Sequence, residues 1–234
     1  TVGKGNTLEH NRWPLIGKMF ETGPFIGFEK TTNTVDECLA WLRERRPGYL
    51  TASTSFIDWL ALAANDGKGV DNLKATVALS ELLTPGMRER IGNRLGAAVH
   101  ENYGLNEIGV VAARCPEGGH YHVHVEHVVV EIVDPAGQPV APGERGRIVV
   151  TNLNNVAMPM IRYVTGDLAR AAIGPCPCGR LLPSFEGPIL REKRIAPLPP
   201  GSHDLSDAML RVMEDLPETL LRTLTSYQLH ERLD

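Results

Sequence analysis

Residues 34–64, TVDECLAWLRERRPGYLTASTSFIDWLALAA, contain a helix pattern, a short strand pattern and a second helix pattern in direct succession. Thr34 and Glu37 form a Thr-x-x-Glu capping box, and apolar residues at helical spacing follow it as far as Arg45. "PGYLTA" then has the composition of a buried strand, and a helix is predicted from Ser55 to Ala64, where "NDGKG" ends it. This succession predicts an α/β fold.

The alternation of strands and helices continues to about residue 110. "KATVALS" is a further apolar strand pattern, and a helix is predicted from Thr84, with Pro85 in its first turn, to about Leu95. "AAVHENYG" is the next strand and is followed by a turn. Because this spacing is typical of βαβ units, residues 1–110 are predicted to form a mostly parallel sheet with covering helices.

The pattern changes beyond Gly109. "HVVVEIVDP", "GERGRIVVTNL" and "MPMIRYVTGDLARA" are β-rich runs separated by turn sequences, which predicts antiparallel hairpins or a small barrel, a barrel-like subdomain over residues 111–190. A domain boundary is predicted near Arg191, because "APLPPGSHD" has the composition of a linker and a helix pattern follows over Leu205–Leu216. Residues 191–234 are therefore predicted to be a hinge and the beginning of a small C-terminal α+β domain.

Composition excludes several classes of function. The chain has 234 residues, a formal net charge of −4 and no long basic run, so there is little electrostatic reason to bind nucleic acid. No apolar run approaches the ~18 residues of a membrane helix, and the first residues lack a signal-peptide pattern. We expect a cytoplasmic protein without a membrane partner, in which paired cysteines are more typical of metal or redox chemistry than of disulfides.

Five motifs occur in one order along the chain: "ALSELLTPGMRERIG", "ENYGLNEIG", "VEIVDPAGQPVAPGERGRIVVTNL", "MPMIRYVTGDLAR" and "CPCGR". Through them, residues 34–190 resemble the adenylate-forming ligases, and more closely their phenylacetate–CoA ligase branch. The resemblance implies that ATP and a small, aryl carboxylic acid form an acyl-adenylate, and that a thiol such as coenzyme A then takes the acyl group. Such a reaction leaves the protein mainly to position the nucleotide and stabilise phosphate charge.

The same resemblance assigns roles to single residues. Asp167 in "TGD" is expected to accept hydrogen bonds from both ribose hydroxyls, which suits a group with two acceptor oxygens. Glu107 is expected to help hold Mg²⁺ on the phosphates, Asn106 to donate to a phosphate, and Tyr103 to flank adenine. The remaining expected contacts with ATP or AMP are Ser80, Glu81, Gly104 and Arg191.

Three cysteines and one histidine in the second half are the candidate metal ligands. Cys115 in "CPEGGHYH" is followed seven residues later by His122, and Cys176 and Cys178 lie in "PCPCGR". Members of the phenylacetate–CoA ligase branch often have a similar Cys-Pro…His segment, so the resemblance implies a closed, tetrahedral, structural Zn²⁺ site. His120 is the rival ligand. Buried free thiols are the alternative, whereas a Cys176–Cys178 disulfide would be strained.

Two functions of other classes stay open. One is a noncatalytic, zinc-stabilised binding module, because the family's phosphate loop is expected upstream of these motifs and its catalytic lysine beyond Asp234. The other is a metal-dependent hydrolase built on the histidines of "HYHVHVEH". The apolar side chains of Phe56, Val110 and Val111 favour an apolar acid as the substrate. A homodimer is the oligomeric state that stays open.

Overall fold

A mixed sheet of nine strands organises the computed structural model, which describes residues 8–10, 23–27, 33–192 and 216–217. The strands are β1 (Leu8–His10), β2 (Phe25–Gly27), β3 (Tyr49–Ser53), β4 (Ala75–Leu79), β5 (Ala98–Leu105), β6 (Gly109–Arg114), β7 (His120–Val123), β8 (Val128–Val133), β9 (Arg145–Asn152), β10 (Tyr163–Ala171) and β11 (Ser184–Arg191). The helices are α1 (Val35–Arg45), α2 (Thr54–Ala63) and α3 (Pro85–Leu95). The order across the sheet is β3-β4-β5-β6-β7-β11-β10-β9-β8, and β1 and β2 form a separate antiparallel pair.

The helices begin where the sequence predicts. The Glu37 N–H donates to Thr34 Oγ1 at 3.2 Å, and the Thr34 N–H donates to Glu37 Oε2 at 2.7 Å, which confirms the capping box. Thr84 caps α3 through its side chain, and Gly96 ends α3 in the left-handed region with a φ of 71°. Local signals of this kind satisfy the backbone groups that a helix end leaves unpaired.

The first half of the chain is the predicted α/β part. β3, β4 and β5 are parallel, and the helices that connect them bury a first hydrophobic core around Leu42, Ile57 and Ile91. Arg90 on α3 donates to both oxygens of Asp58 on α2, at 2.8 and 2.9 Å. This bidentate pair satisfies two charges that the packing of α2 against α3 would otherwise leave without partners.

The second half is antiparallel, as predicted, but it extends the same sheet. β5 is parallel to β4 and antiparallel to β6, and every later pairing is antiparallel. Among the described strands, β3 and β8 remain edges, so the sheet is open and the barrel-like prediction is corrected in that respect. The sequence did not indicate β11. β11 contains Pro188 at a register shift of its ladder with β10, where a strand tolerates a residue without an N–H.

The antiparallel part of the sheet is strongly curled. β6, β7 and β11 separate β5 from β10, and at about 4.8 Å per strand a flat sheet would hold β5 and β10 ~19 Å apart. The hydroxyl of Tyr103 on β5 nevertheless donates to Asp167 on β10 at 2.9 Å. A second hydrophobic core, which includes Tyr121 and Phe185, lies within this curl. The curvature therefore brings residues from distant strands into direct contact.

Two further predictions concern the end of the chain and the membrane. The helix predicted over Leu205–Leu216 and most of residues 191–234 lie outside the described residues. Of the predicted hinge, Arg191 ends β11 and Glu192 follows directly. The described helices have 10 or 11 residues each, and none is long and apolar enough to cross a membrane.

Candidate functional site

Asp167 is a buried carboxylate with a defined partner on each oxygen. The register of β10 and β11 pairs it with Arg191, whose Nη1 donates to Asp167 Oδ1 at 3.0 Å and to the carbonyl oxygen of Thr165 at 2.7 Å. The Tyr103 hydroxyl donates to Asp167 Oδ2 at 2.9 Å. The structure thus brings Asp167, Tyr103 and Arg191 together, three of the residues that the sequence predicts as nucleotide contacts.

The local backbone conformation explains the residue types of the Thr-Gly-Asp motif, Thr165 to Asp167. Gly166 has a φ of +76°, in the left-handed region that favours glycine. Thr165 Oγ1 donates to a carbonyl oxygen of β9 at 3.0 Å and accepts from the Asp167 N–H at 3.1 Å. The ladder between β9 and β10 shifts register across this motif. The motif is therefore an irregular segment of β10, and its side-chain bonds replace regular pairing with β9.

Tyr103 is held by its ring as well as by its hydroxyl. The side chain belongs to the second hydrophobic core, and its ring meets Phe185 edge-on, with centroids 6.0 Å apart. Burial raises the pKa of the Tyr103 phenol well above its ordinary value, and the charge of Asp167 raises it further. The hydroxyl is therefore protonated at neutral pH and can donate. The role of Tyr103 beside adenine stays a prediction.

Asn106 and Glu107 lie exposed in the turn between β5 and β6. The Tyr163 hydroxyl donates to Glu107 Oε1 at 3.5 Å, a long hydrogen bond. A Cβ at Gly104 would lie 2.9 Å from the carbonyl oxygen of Gly109, so the start of this turn is too narrow for a side chain at Gly104. The turn presents an amide and a carboxylate to solvent, and their contacts with phosphate and Mg²⁺ stay predictions.

Ser80 and Glu81 follow β4, and Ser80 has a φ of +66°. Glu81 Oε2 accepts from the backbone N–H of Ser55 at 2.7 Å, and the Glu81 carbonyl oxygen accepts from the Thr54 hydroxyl at 3.0 Å. The Glu81 carboxylate therefore lies at the N-terminus of α2, where negative charge is stabilising. Because β3, β4 and β5 are parallel, their C-terminal ends lie side by side. Ser80 and Glu81, which follow β4, therefore lie at the same end of the strands as the turn after β5.

The residues predicted to contact the acid are divided between the two halves. Phe56 is buried in the first core and Val111 in the second, while Val110 is half-buried. The ring Nε2 of His127 lies 2.7 Å from the carbonyl oxygen of Val110. The assignment of an acid pocket to these residues stays a prediction.

The four predicted metal ligands, Cys115, His122, Cys176 and Cys178, converge. One ligand atom from each lies within 4.8 Å of the others, and the Cys178 Sγ is 3.3 Å from His122 Nε2. All but Cys178 are buried. Three thiols and an imidazole at this separation fit the donor set of a tetrahedral zinc site.

The rival ligand, His120, lies on the same strand but has other partners. Its Nδ1 is 3.1 Å from Ser184 Oγ, and its Nε2 is 3.5 Å from Glu186 Oε1. His122 Nδ1, in contrast, is buried and has no hydrogen-bond partner among the described residues. The geometry therefore groups His122 with the cysteines.

Two tight loops form the cysteine cluster. The backbone N–H of Gly118 is the main cause that lowers the pKa of the Cys115 thiol to about 6, in the range of reactive and metal-binding thiolates. A Cβ at Gly118 would collide with Cys176 Sγ and lie 2.7 Å from Pro177 Cδ. A glycine at this position thus allows the Cys115 loop to pack directly against the Cys176 loop.

Two polar clusters near these sites were not predicted from the sequence. Tyr121 donates to Glu101 Oε1 at 2.6 Å, and Arg88 donates to Glu101 Oε2 at 2.8 Å. Arg147 Nε and Nη2 donate to Glu192 Oε1 at 2.8 and 2.6 Å. Each cluster joins residues that are distant in the chain, so no local spacing could have indicated it.

The fold is that of adenylate-forming enzymes. The crystal structure of 2-hydroxyisobutyryl-CoA ligase in the postadenylation state matches with a TM-score of 0.68 at 23% identity, covering 78% of this chain and 40% of that chain. An open conformation of the same ligase, in complex with 2-HIB-AMP and CoA, matches with a TM-score of 0.60 at 26% identity, over 66% of this chain and 36% of that chain.

The sequence comparisons give the family. Residues 15–158, more than half of the chain, match the family described as "AMP-binding enzyme", and the chain belongs to that family. The phenylacetate-coenzyme A ligase of Thermus thermophilus is 33% identical over 157 residues, which cover 64% of this chain and 35% of that protein. The phenylacetate-coenzyme A ligase of Escherichia coli K12 is 36% identical over 120 residues, which cover 50% of this chain and 28% of that protein. The chain thus spans about a third of the length of these relatives.

Proposed function

We propose that the protein acts in the AMP-forming activation of a small, aryl carboxylic acid and in its transfer to coenzyme A. The observation that carries this proposal is the buried Asp167 carboxylate, with Tyr103 on one oxygen and Arg191 on the other. The family and the relatives named phenylacetate-coenzyme A ligase support the class of reaction and the aryl acid. Nothing in the described residues favours a noncatalytic module. The candidate metal-ligand group among the described residues contains one histidine, His122, and three cysteines, which does not favour a hydrolase built on the histidines of "HYHVHVEH".

The reaction consists of two displacements. An oxygen of the substrate carboxylate attacks the α-phosphorus of ATP, and pyrophosphate leaves. The thiol sulfur of coenzyme A then attacks the acyl carbon and loses its proton, and AMP leaves. A solved neighbour, 2-hydroxyisobutyryl-CoA ligase, has been captured with 2-HIB-AMP and CoA, which supports this order.

The protein residues orient the nucleotide in this scheme. Asp167 accepts hydrogen bonds from the ribose hydroxyls, and Arg191, whose side chain is 51% exposed, lies beside the carboxylate where it can also reach the nucleotide. Asn106 donates to a phosphate oxygen from the turn after β5. Glu107 in the same turn offers an exposed carboxylate, the type of ligand that Mg²⁺ prefers, and a bound Mg²⁺ would neutralise phosphate charge there.

We further propose that Cys115, His122, Cys176 and Cys178 hold a structural Zn²⁺. The support is the convergence of their ligand atoms within 4.8 Å and the burial of three of the four residues. A site closed by four protein ligands leaves no position for a substrate, so its effect would be on the fold.

The proposal also covers the division of the chain into parts, the cellular location and the oligomeric state. The first hydrophobic core lies within residues 1–110, and the second lies mostly within residues 111–190 but includes Tyr103, which supports functional parts close to these bounds, with residues 191–234 as hinge and C-terminal part. The convergence of three cysteines with a histidine at a candidate metal site supports a reducing, cytoplasmic location. A homodimer is testable by light scattering coupled to size-exclusion chromatography.

Two measurements test the proposed function. Calorimetry with AMP should detect binding that Asp167→Ala weakens at least a hundredfold, because the ribose hydroxyls lose their acceptor. Pyrophosphate release should be fastest with aromatic acids in a panel that also includes aliphatic and charged acids. Absence of AMP binding, or an equal affinity in Asp167→Ala, would contradict the proposal.

A further inference from the structure

Tyr103 and Arg191 hold the same carboxylate in different surroundings. The Arg191 side chain is 51% exposed, so water weakens its ion pair with Asp167. Tyr103 is 8% exposed, and its hydrogen bond to Asp167 Oδ2 lies in the protein interior. A hydrogen bond to a charged group is stronger in such surroundings, and its loss leaves a buried acceptor without its donor. The orientation of the carboxylate therefore depends more on Tyr103 than on Arg191.

The Tyr103 ring has little freedom to move. The Tyr103 and Phe185 rings are nearly perpendicular, and Phe185 stacks on Tyr121 with ring centroids 5.3 Å apart and planes 4° from parallel. The Tyr121 hydroxyl donates to Glu101, which also pairs with Arg88. The packing of these rings on one another limits the motion of Tyr103, so its hydroxyl is a rigid donor.

We infer that Tyr103 is the positioning residue of the nucleotide site, because its hydroxyl fixes Asp167 Oδ2 and so directs the remaining acceptor positions of the carboxylate at the ribose hydroxyls. This inference rests on the proposed function. A carboxylate accepts about four hydrogen bonds, so Tyr103 and Arg191 together leave about two positions. Two is the number that the 2′- and 3′-hydroxyls of one ribose require.

The inference differs from a role for the ring beside adenine. A ring contact with adenine would survive loss of the hydroxyl, because Tyr103→Phe keeps the ring and its packing on Phe185. A positioning hydroxyl would not survive it. The same substitution therefore separates the two roles, provided that the ligand is varied at the ribose and not at the base.

The test is a double-mutant-type cycle. The Tyr103 hydroxyl is removed from the protein, and the 2′- and 3′-hydroxyls are removed from the ligand. The Kd of AMP and of 2′,3′-dideoxy-AMP is measured by calorimetry for wild type and Tyr103→Phe. We expect Tyr103→Phe to weaken AMP about tenfold, because a carboxylate that is free to turn makes poorer hydrogen bonds to the ribose hydroxyls. Binding of 2′,3′-dideoxy-AMP should change less than twofold, because that ligand makes no use of Asp167.

Tyr121→Phe is the matched control. It also removes a buried hydrogen bond from a tyrosine hydroxyl to a carboxylate, but on the other side of Phe185 and without contact with Asp167. It should lower the unfolding temperature and leave both nucleotide affinities within twofold, because Tyr121→Phe keeps the ring that stacks on Phe185. In an Asp167→Ala background, Tyr103→Phe should have no further effect on AMP.

The outcomes separate the two levels of the proposal. If Tyr103→Phe weakens both nucleotides by the same factor, or leaves AMP binding unchanged while Asp167→Ala weakens it, Tyr103 is not the positioning residue although the proposed function stands. If wild type binds no AMP, or Asp167→Ala binds it equally well, the proposed function and this inference both fail. A tenfold loss confined to AMP supports both.

Discussion

The β10–β11 hairpin carries one candidate site at its open end and the other at its turn. At the open end, Asp167 is held by Tyr103 and Arg191, and the contact with Tyr103 exists only because the sheet curls. At the turn, Cys176 and Cys178 meet Cys115 and His122 through two short loops in direct contact. The difference shows two ways to assemble a site on one hairpin, one through the curvature of the whole sheet and one through local loop geometry.

The largest effect is expected from loss of the proposed zinc ion at the turn. Chelation, or Cys176→Ser, should remove several kcal/mol of stability, because a structural zinc site contributes directly to folding. Thermal unfolding followed by circular dichroism, together with zinc content by atomic emission, would measure this. A protein that contains no zinc as purified, or keeps its unfolding temperature after chelation, would refute the metal site.

Asp167→Ala should have the second largest effect, and at the opposite end of the hairpin. Loss of two charge-assisted hydrogen bonds to ribose predicts at least a hundredfold weaker AMP binding, at about 1.5–3 kcal/mol each. Zinc content should stay unchanged, since Asp167 does not contact the cysteine loops. Parallel loss of zinc in this variant would show that the two ends of the hairpin are not independent.

Gly118→Ala should affect the turn more moderately. The added Cβ meets Cys176 and Pro177, so the two loops must separate, at a cost of about 1–3 kcal/mol. The matched control is Gly48→Ala, because no atom lies within 4 Å of the Cβ added there. Zinc affinity measured by competition with a chelator should fall for Gly118→Ala alone. Equal affinities in both variants would contradict the direct packing of Gly118 against Cys176 and Pro177.

The smallest effect is expected at Arg191. Its ion pair with Asp167 is half exposed, so Arg191→Met should change the free energy of unfolding by less than about 1 kcal/mol. AMP affinity should depend less on salt in this variant than in wild type, because a charge beside the nucleotide is gone. Calorimetry at low and high salt checks this, and an unchanged salt dependence would place Arg191 outside the nucleotide site.

Local signals in the sequence predicted much of the first half. Thr34 and Thr84 are helix caps because their hydroxyls accept from a backbone N–H three residues later, a relation visible in the sequence. β11 was not predicted, since Gly187 and Pro188 interrupt its strand pattern, and only the register shift against β10 explains why they fit.

The contacts at the candidate site that the sequence could not predict also depend on residues distant in the chain. His120 and His122 could not be separated because alternate residues of a strand share a face, and the partners Ser184 and Glu186 come from another strand. The position of Glu81 at the start of α2 depends on how β4 and α2 pack, and this is not encoded in a local spacing. The Tyr103–Asp167 contact depends on sheet curvature, which no motif specifies.

The register shift around Asp167 has a consequence for local stability. Between Val164 and Leu168, β10 has no paired residues on β9, and the Asp167 N–H is bonded to a threonine side chain instead. Amide hydrogens in this short segment should exchange with solvent faster than those of the flanking ladder, although the segment lies inside the sheet. Pairing with β11 continues at Asp167, so we expect any opening of this segment to be confined to its β9 side while the rest of the sheet stays folded.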